Sequence, residues 1–458
     1  MSGRVLFIAY YFPPLGGVGV QRTLKYARYL PLWGWRPVVV TPRNPAYLVR
    51  DPSLLDQLPA DLEIERTSGL EPARLPNAVA RLLSRGDRSG PAASKASAMV
   101  GSPTGGGIFG KLLWKSMIAW NRLWARILFP DAEAGWVGFA VRRGMAVHRR
   151  EAVDVIYSTS SPISCHVAAS RIAAKTGLRW IADFRDPWIG NAFAADVPRR
   201  LGRRREKLEL EIVTRADRIV FATEGLREAY SARYPFAADR MVVITNGYDR
   251  ADSVASGTLA RDESPNRRFR LVYTGSLYGD TELAVFLDGL DLAVERHPEL
   301  RDRLEVEFVG WLNANNRRVA SAYTQPERLG SVLKFSDFLP HGEAMQRLAG
   351  ADALLQIIGD GPNKGQIQGG KLMEYLGQDK QILAVVPEGV AREMLDELGW
   401  GICADPTPEG VASGLWRLLS EPLPTGRADP EGRYDRVNLA RQLASILDEL
   451  KDRDGPVE

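Results

Sequence analysis

The sequence predicts an α/β protein of two Rossmann-like domains, each a doubly wound parallel sheet, facing a central cleft. Three observations carry this. Short apolar runs alternate with helix-period stretches along the 458 residues, glycine clusters stand where several runs end, and a polar stretch near the middle divides the series in two.

The first series reads Val5 to Tyr10, Pro37 to Thr41, Val153 to Tyr157, Trp180 to Ala182, Arg218 to Ala222 and Met241 to Ile244. The second reads Leu271 to Tyr273, Leu304 to Val309, Val332 to Phe335, Ala353 to Ile358, Gln381 to Val386 and Gly401 to Ala404. The expected division is an N-terminal domain over 1–249, a linker over 250–268 and a C-terminal domain over 269–425. A final helix within 426–458 is expected to pack back on the N-terminal domain. Such sheets bind ligands beyond the carboxyl ends of their strands, so one molecule could be held from both sides.

Composition excludes several classes. With 45% hydrophobic and 25% charged residues the chain reads as globular, and a net charge of +4 is too slight to indicate nucleic acid. Cys165 and Cys403 are the two cysteines and lack metal-ligand spacing, as do His148, His166, His297 and His341. No metal and no resident cofactor is therefore expected, and the cysteine usage fits a reducing cytoplasm. The first apolar run is cut by Pro13-Pro14 and reads as a strand, not a leader; no run reaches the roughly 18 apolar residues of a membrane span.

The densest motif is GQIQGGKLMEYLGQDKQILAVVP at 365–387. Gly369 and Gly370 let backbone amides approach an anion at a helix N-terminus, and Lys371, Glu374 and Tyr375 fall at i, i+3 and i+4 on one face. A lysine suits a phosphate, and a glutamate accepts hydrogen bonds from a vicinal diol such as a ribose. The first strand ends in YFPPLGGVGVQR, with Gly16, Gly17 and Gly19 before a helix starting near Val18. A dinucleotide fingerprint would need glycine at Arg22 and an acid near Val40-Thr41-Pro42-Arg43, so a nicotinamide cofactor is not expected. In WIADFRDPW the strand end carries Asp183, Arg185 and Asp186, followed by Trp188. Those charges either face a ligand or fasten a loop. Ser160 or Ser161 is the expected cap of the helix that follows Pro162.

Residues 86–107 are small, polar and aperiodic, and read as a mobile insertion. Over 108–130, Lys111, Lys115, Arg122 and Arg126 share a narrow sector at about 100° per residue, opposite a face bearing Trp120 and Trp124. This amphipathic helix either lies in an anionic membrane interface or packs on its own domain; the period does not separate them.

The ordered motifs YFPPLGG, STSSP, DFRDPW, ITNGYD, YTGSLYG and GKLMEYLG resemble glycosyltransferase family 4, of GT-B fold, over nearly the whole chain. The resemblance implies a retaining, metal-independent hexosyltransferase acting on a UDP- or GDP-sugar, with the N-terminal domain on the acceptor side and the C-terminal domain binding the nucleotide-sugar. Glu374 matches the ribose-binding glutamate and Gly17 the glycine facing the diphosphate, with Gly16, Gly275 and Gly370 beside them. Arg185-Asp186 stands where many relatives carry His-Asp, which makes Asp186 the candidate to orient the acceptor hydroxyl, with Asp183, Trp188 and Arg22 on the acceptor side. Ser276 replaces an arginine, Glu282 a lysine and Gln366 a glutamate. Lys364, Lys371 or Arg22 would then supply the lost positive charge. The implied acceptor is a polysaccharide or lipid-linked glycan, handled in the cytoplasm or at the inner membrane face. A weakly catalytic scaffold relative and a nucleotide-sugar epimerase of similar fold are the alternatives.

Overall fold

A computed structural model describes residues 3–45, 50–70, 128–189, 199–255, 267–275, 277, 282–337, 339–361, 364–366, 368–422 and 426–452. The insertion expected at 86–107 and the amphipathic stretch up to residue 127 lie outside the described residues. The chain divides into two compact units, Met1–Asn246 with Arg436–Glu458, and Gly247–Asp435. The sequence placed this division at Asp249, with a linker from 250; in the structure Arg250–Ala255 is already helical and belongs to the second unit.

In the first unit, seven parallel strands run β1 (Gly3–Ile8), β2 (Trp35–Pro42), β3 (Glu63–Thr67), β4 (Val155–Ser160), β5 (Arg179–Phe184), β6 (Arg218–Phe221) and β7 (Met241–Val243). Their order across the sheet is β3-β2-β1-β4-β5-β6-β7. The helices are α1 (Val18–Tyr29), α2 (Val137–Arg150), α3 (Ser164–Thr176), α4 (Arg199–Arg215) and α5 (Glu224–Arg233). Alternate residues of each strand enter opposite cores, which is why the runs read as continuously apolar. Leu6, Ile8, Val38, Val40 and Ile156 face one core, while Val5, Phe7, Val39, Val155 and Tyr157 face the other.

The second unit carries β8 (Phe269–Thr274), β9 (Leu304–Val309), β10 (Leu333–Ser336), β11 (Ala353–Ile357), β12 (Gln381–Val385) and β13 (Ile402–Ala404), in the order β10-β9-β8-β11-β12-β13. Its helices are α6 (Arg250–Ala255), α7 (Glu282–Arg296), α8 (Leu300–Arg303), α9 (Ala314–Tyr323), α10 (His341–Ala349), α11 (Gly370–Leu376), α12 (Val390–Leu398) and α13 (Pro408–Ser420). The last helix, α14 (Arg436–Asp452), belongs to the first unit, where Leu439, Leu443 and Leu447 join the core of Val5 and Phe7. Trp35 Nε1 donates to Asp448 at 2.8 Å.

One strand escaped the sequence reading. β3 is Glu-Ile-Glu-Arg-Thr, whose charges resemble a loop, yet it pairs with β2 from Val38↔Glu63 to Pro42↔Thr67. Its acids are met by cations from neighbouring elements: Arg4 lies 2.6 Å from Glu63, and Arg150 lies 2.9 Å from Glu65. The cap expected from Ser160 or Ser161 is also replaced. Asp131 accepts from Ser164 N at 2.8 Å and from Ser164 Oγ at 2.5 Å, so a distant carboxylate closes the first turn of α3.

Each sheet order reverses once, between β1 and β4 in the first unit and between β8 and β11 in the second. Crevices at such reversals are where open α/β sheets take ligands.

Candidate active site

In the second unit the reversal gathers chemistry at the carboxyl ends of β8 and β11. Gly275 follows β8 with φ +107°, and a Cβ there would fall 2.4 Å from Lys371 Cε. Only glycine lets the lysine stem cross the strand end so closely. Lys371 Nζ donates to the Tyr273 hydroxyl and lies 4.1 Å from the centre of that ring. Burial lowers the Lys371 pKa to about 8, against the opposing pull of Glu282 and Glu374. The ammonium thus sits against a ring face in a shielded place, with the charges of two carboxylates favouring it.

Lys371 stands in the first turn of α11, whose N-cap Gly369 has φ 78° and offers no side-chain cap. Glu374, half-buried, lies three residues on, on the same helix. Tyr375, expected to share that face, turns instead into the core: it is fully buried, and its hydroxyl accepts from Thr274 N at 3.0 Å. That bond fixes α11 against the end of β8. Lys364 Nζ lies 3.0 Å from Glu282 Oε1. Gln366 closes the short helical turn Lys364–Gln366. Ser276 lies outside the described residues.

In the first unit Gly17 caps α1 with φ 90° and no side-chain cap; Gly16 before it is buried. The charged residues of β5 behave differently from expectation. Asp183 and Arg22 have side chains 0% and 1% exposed. Arg22 reaches Asp183 through Nε at 2.7 Å and Nη2 at 2.9 Å, and also donates to the carbonyls of Ile244 at 2.9 Å and Thr245 at 2.8 Å. Tyr157 donates its hydroxyl to the same carboxylate. Burial opposes the charge on Arg22, but Asp183, Tyr26 and Tyr157 together outweigh it and leave the guanidinium's pKa raised. These two residues form a buried anchor, each engaged by the other, where the sequence reading set both on the acceptor side.

Arg185 is likewise engaged by backbone. Its guanidinium donates to Ser160 O at 2.6 Å, Gly19 O at 2.5 Å and Ser161 O at 2.7 Å. It ties the first turn of α1 to the end of β4, across the reversal point of the sheet. Of the three charges in this run, Asp186 is the one exposed to solvent. Trp188 is half-buried against the core, with Arg205 5.8 Å from its ring centre. His166 is buried beside Ser158 Oγ at 2.8 Å, and burial lowers its pKa to about 3, so it stays neutral near pH 7. No group of side chains suited to a metal ion occurs among the described residues.

Sequence reasoning missed Tyr273 and saw Glu282 merely as a departure from a pattern. The signal for Tyr273 was its place one strand-step from Gly275, where a side chain can underlie whatever crosses that glycine.

Comparison with known proteins follows the same lines. The model of Glycosyltransferase Family 4 matches residues 104–252. No curated protein sequence matches the chain. Among solved structures, a glycosyltransferase from Rickettsia africae ESF-5 superposes with TM-score 0.62 at 11% identity, covering 99% of this chain and 100% of that one. Anabaena Alr3699/HepE, solved in complex with UDP and glucose, gives TM-score 0.59 at 14% identity over 98% and 100%. A proposed UDP-N-acetylglucosamine 2-epimerase from Listeria monocytogenes gives 0.54 at 13% over 100% and 99%. At such identities the likeness to each is one of fold.

Proposed function

We propose, for a chain that carries a glycosyltransferase family 4 segment on a GT-B fold, that it moves a sugar from a nucleoside-diphosphate sugar to a polysaccharide or lipid-linked acceptor with retention of configuration. The observation that carries this reading is the packing of Lys371 over Gly275, with Glu374 three residues further along the same helix. It puts a cation suited to a diphosphate and a carboxylate suited to a ribose at the reversal point of one sheet.

In this reading the bond between the anomeric carbon and the diphosphate oxygen breaks, its electron pair leaving on the phosphate. The acceptor oxygen bonds to the same face, and its proton passes to the departing phosphate. Lys371 and the backbone amides at Gly370 stabilise the developing charge. Lys364 is the second cation for the diphosphate, since Arg22 is committed to Asp183. The basic and tryptophan residues between 108 and 130 would bring the chain to an anionic membrane bearing the acceptor. Among the described residues no helix is long and apolar enough to cross a membrane.

The epimerase reading is favoured by one observation, the similar fold of the Listeria protein. Product analysis separates the two. With UDP- or GDP-sugars and a lipid-linked glycan fraction, transfer is expected to release nucleoside diphosphate in step with a glycosylated, anomerically retained product. A changed sugar still attached to its nucleotide, or nucleotide release with no glycosylated product, contradicts transfer.

A further inference from the structure

In the second unit one carboxylate pairs with one lysine and lies within electrostatic reach of a second. Glu282 opens α7, and Lys364 Nζ lies 3.0 Å from its Oε1, with side chains 23% (Lys364) and 13% (Glu282) exposed. The carboxylate arm is fixed by packing: a Cβ on Gly359, two residues beyond β11, would fall 2.4 Å from Glu282 Cγ and 3.1 Å from its Oε1. Glycine at 359 therefore makes room for Glu282 just as Gly275 makes room for Lys371. The charge of Glu282 also reaches Lys371, whose ammonium it favours against burial.

Two lysines, Lys364 and Lys371, here meet the charges of two carboxylates, Glu282 and Glu374. A nucleoside diphosphate brings further negative charge into that balance. It either draws Lys364 away from Glu282 or lies beside a like charge, and each alternative weakens binding.

We propose that Glu282 is a built-in counter-ion of the donor site, occupying Lys364 in the manner of a ligand phosphate and thereby limiting how tightly a diphosphate is held. The proposal rests on the donor-site reading given above. Its consequence falls on product release: the leaving diphosphate departs into competition with a carboxylate already in place. Glu282 acts through the two lysines, so it is a positioning residue and takes no part in bond making.

The test is calorimetric titration of the full-length protein and of Glu282→Gln with inorganic pyrophosphate, then with UDP, GDP and ADP. Glutamine keeps the shape and a hydrogen bond to Lys364 while removing the charge. Pyrophosphate and the recognised nucleoside diphosphate are expected to bind about tenfold or more tighter to the variant, the size of one like-charge contact in a partly wet site. In steady state, donor KM falls and kcat falls with it, because release of the product slows. A second readout is the pH at which pyrophosphate affinity declines: without Glu282 the Lys371 ammonium loses support, so the decline moves to lower pH. Should Glu282→Gln not fold, Glu282→Asp is expected to give a smaller gain in the same direction.

Unchanged or weaker pyrophosphate binding overturns the proposal. If a nucleoside diphosphate binds both proteins equally, the counter-ion role fails and the donor reading stands. If pyrophosphate tightens while no nucleoside diphosphate binds either protein, the donor reading fails and the counter-ion role survives for an anion site of another kind.

Discussion

Replacing Arg22 by alanine is expected to lower the unfolding free energy by about 3–5 kcal/mol, the usual cost of stranding one partner of a buried ion pair. Asp183 is fully buried and its carboxylate takes two hydrogen bonds from Arg22. Without the guanidinium it keeps the Tyr157 hydroxyl, which does not carry a charge to offset its own. The carbonyls of Ile244 and Thr245 lose their donors as well, so the segment after β7 is loosened next to the point where the chain leaves the first unit. Asp183→Asn should be milder, because the amide still accepts a hydrogen bond and the buried cation retains the two carbonyls. Urea denaturation of the two variants checks the order; an Arg22→Ala cost below about 1 kcal/mol would contradict a load carried by this pair.

Lys371→Ala is expected to reduce turnover by about 10²- to 10³-fold, the effect of removing one donor that meets developing charge in a shielded site. Its pH dependence carries more information than its size. With a pKa near 8, Lys371 is an ammonium below that pH and a neutral amine above it. Rate at low donor concentration should therefore fall as pH rises through about 8, and Lys371→Arg, which stays charged to much higher pH, should flatten that limb. The same depression has a sign for stability. The folded chain binds fewer protons at this group than the unfolded chain between about pH 8 and the ordinary lysine pKa of 10.5, so this contribution to stability rises with pH across that window. Activity and this component of stability thus move in opposite directions on the alkaline side. A pH profile identical for wild type and Lys371→Arg would remove Lys371 from the charge-bearing role.

The fold was legible because parallel strands are buried on both faces and so advertise themselves as apolar runs. Val5 to Tyr10 and Ala353 to Ile358 are such runs, and the strands found lie within one or two residues of both. β3 was illegible for the converse reason: an edge strand has one neighbour, and Glu63 and Glu65 satisfy themselves through Arg4, Arg143 and Arg150 from elsewhere in the chain. The glycine-lysine-glutamate grouping at 369–374 was visible since spacing on one helix is local. What joins Lys371 to Tyr273 and Gly275 is tertiary, as is the meeting of Arg22 with Asp183, 161 residues further on. Charged residues at a strand end look functional in sequence. Whether they reach outward or inward depends on what lies beneath, and here an arginine from α1 lies beneath Asp183 and backbone carbonyls surround Arg185. The cap of α3 shows the same limit: two serines stood in the right place, and Asp131 from 33 residues upstream supplied the carboxylate.

On this reading the second unit binds a nucleoside diphosphate, with the ribose on Glu374. Thermal stabilisation by UDP, GDP, ADP and NADP, measured on the wild type and on Glu374→Ala, tests it most directly. A ligand at about a hundred times its dissociation constant stabilises by roughly 2.7 kcal/mol, a readily measured shift. One nucleoside diphosphate is expected to raise the wild-type midpoint and to leave that of Glu374→Ala unmoved. A shift with NADP alone, or none with any of the three diphosphates, would contradict the account.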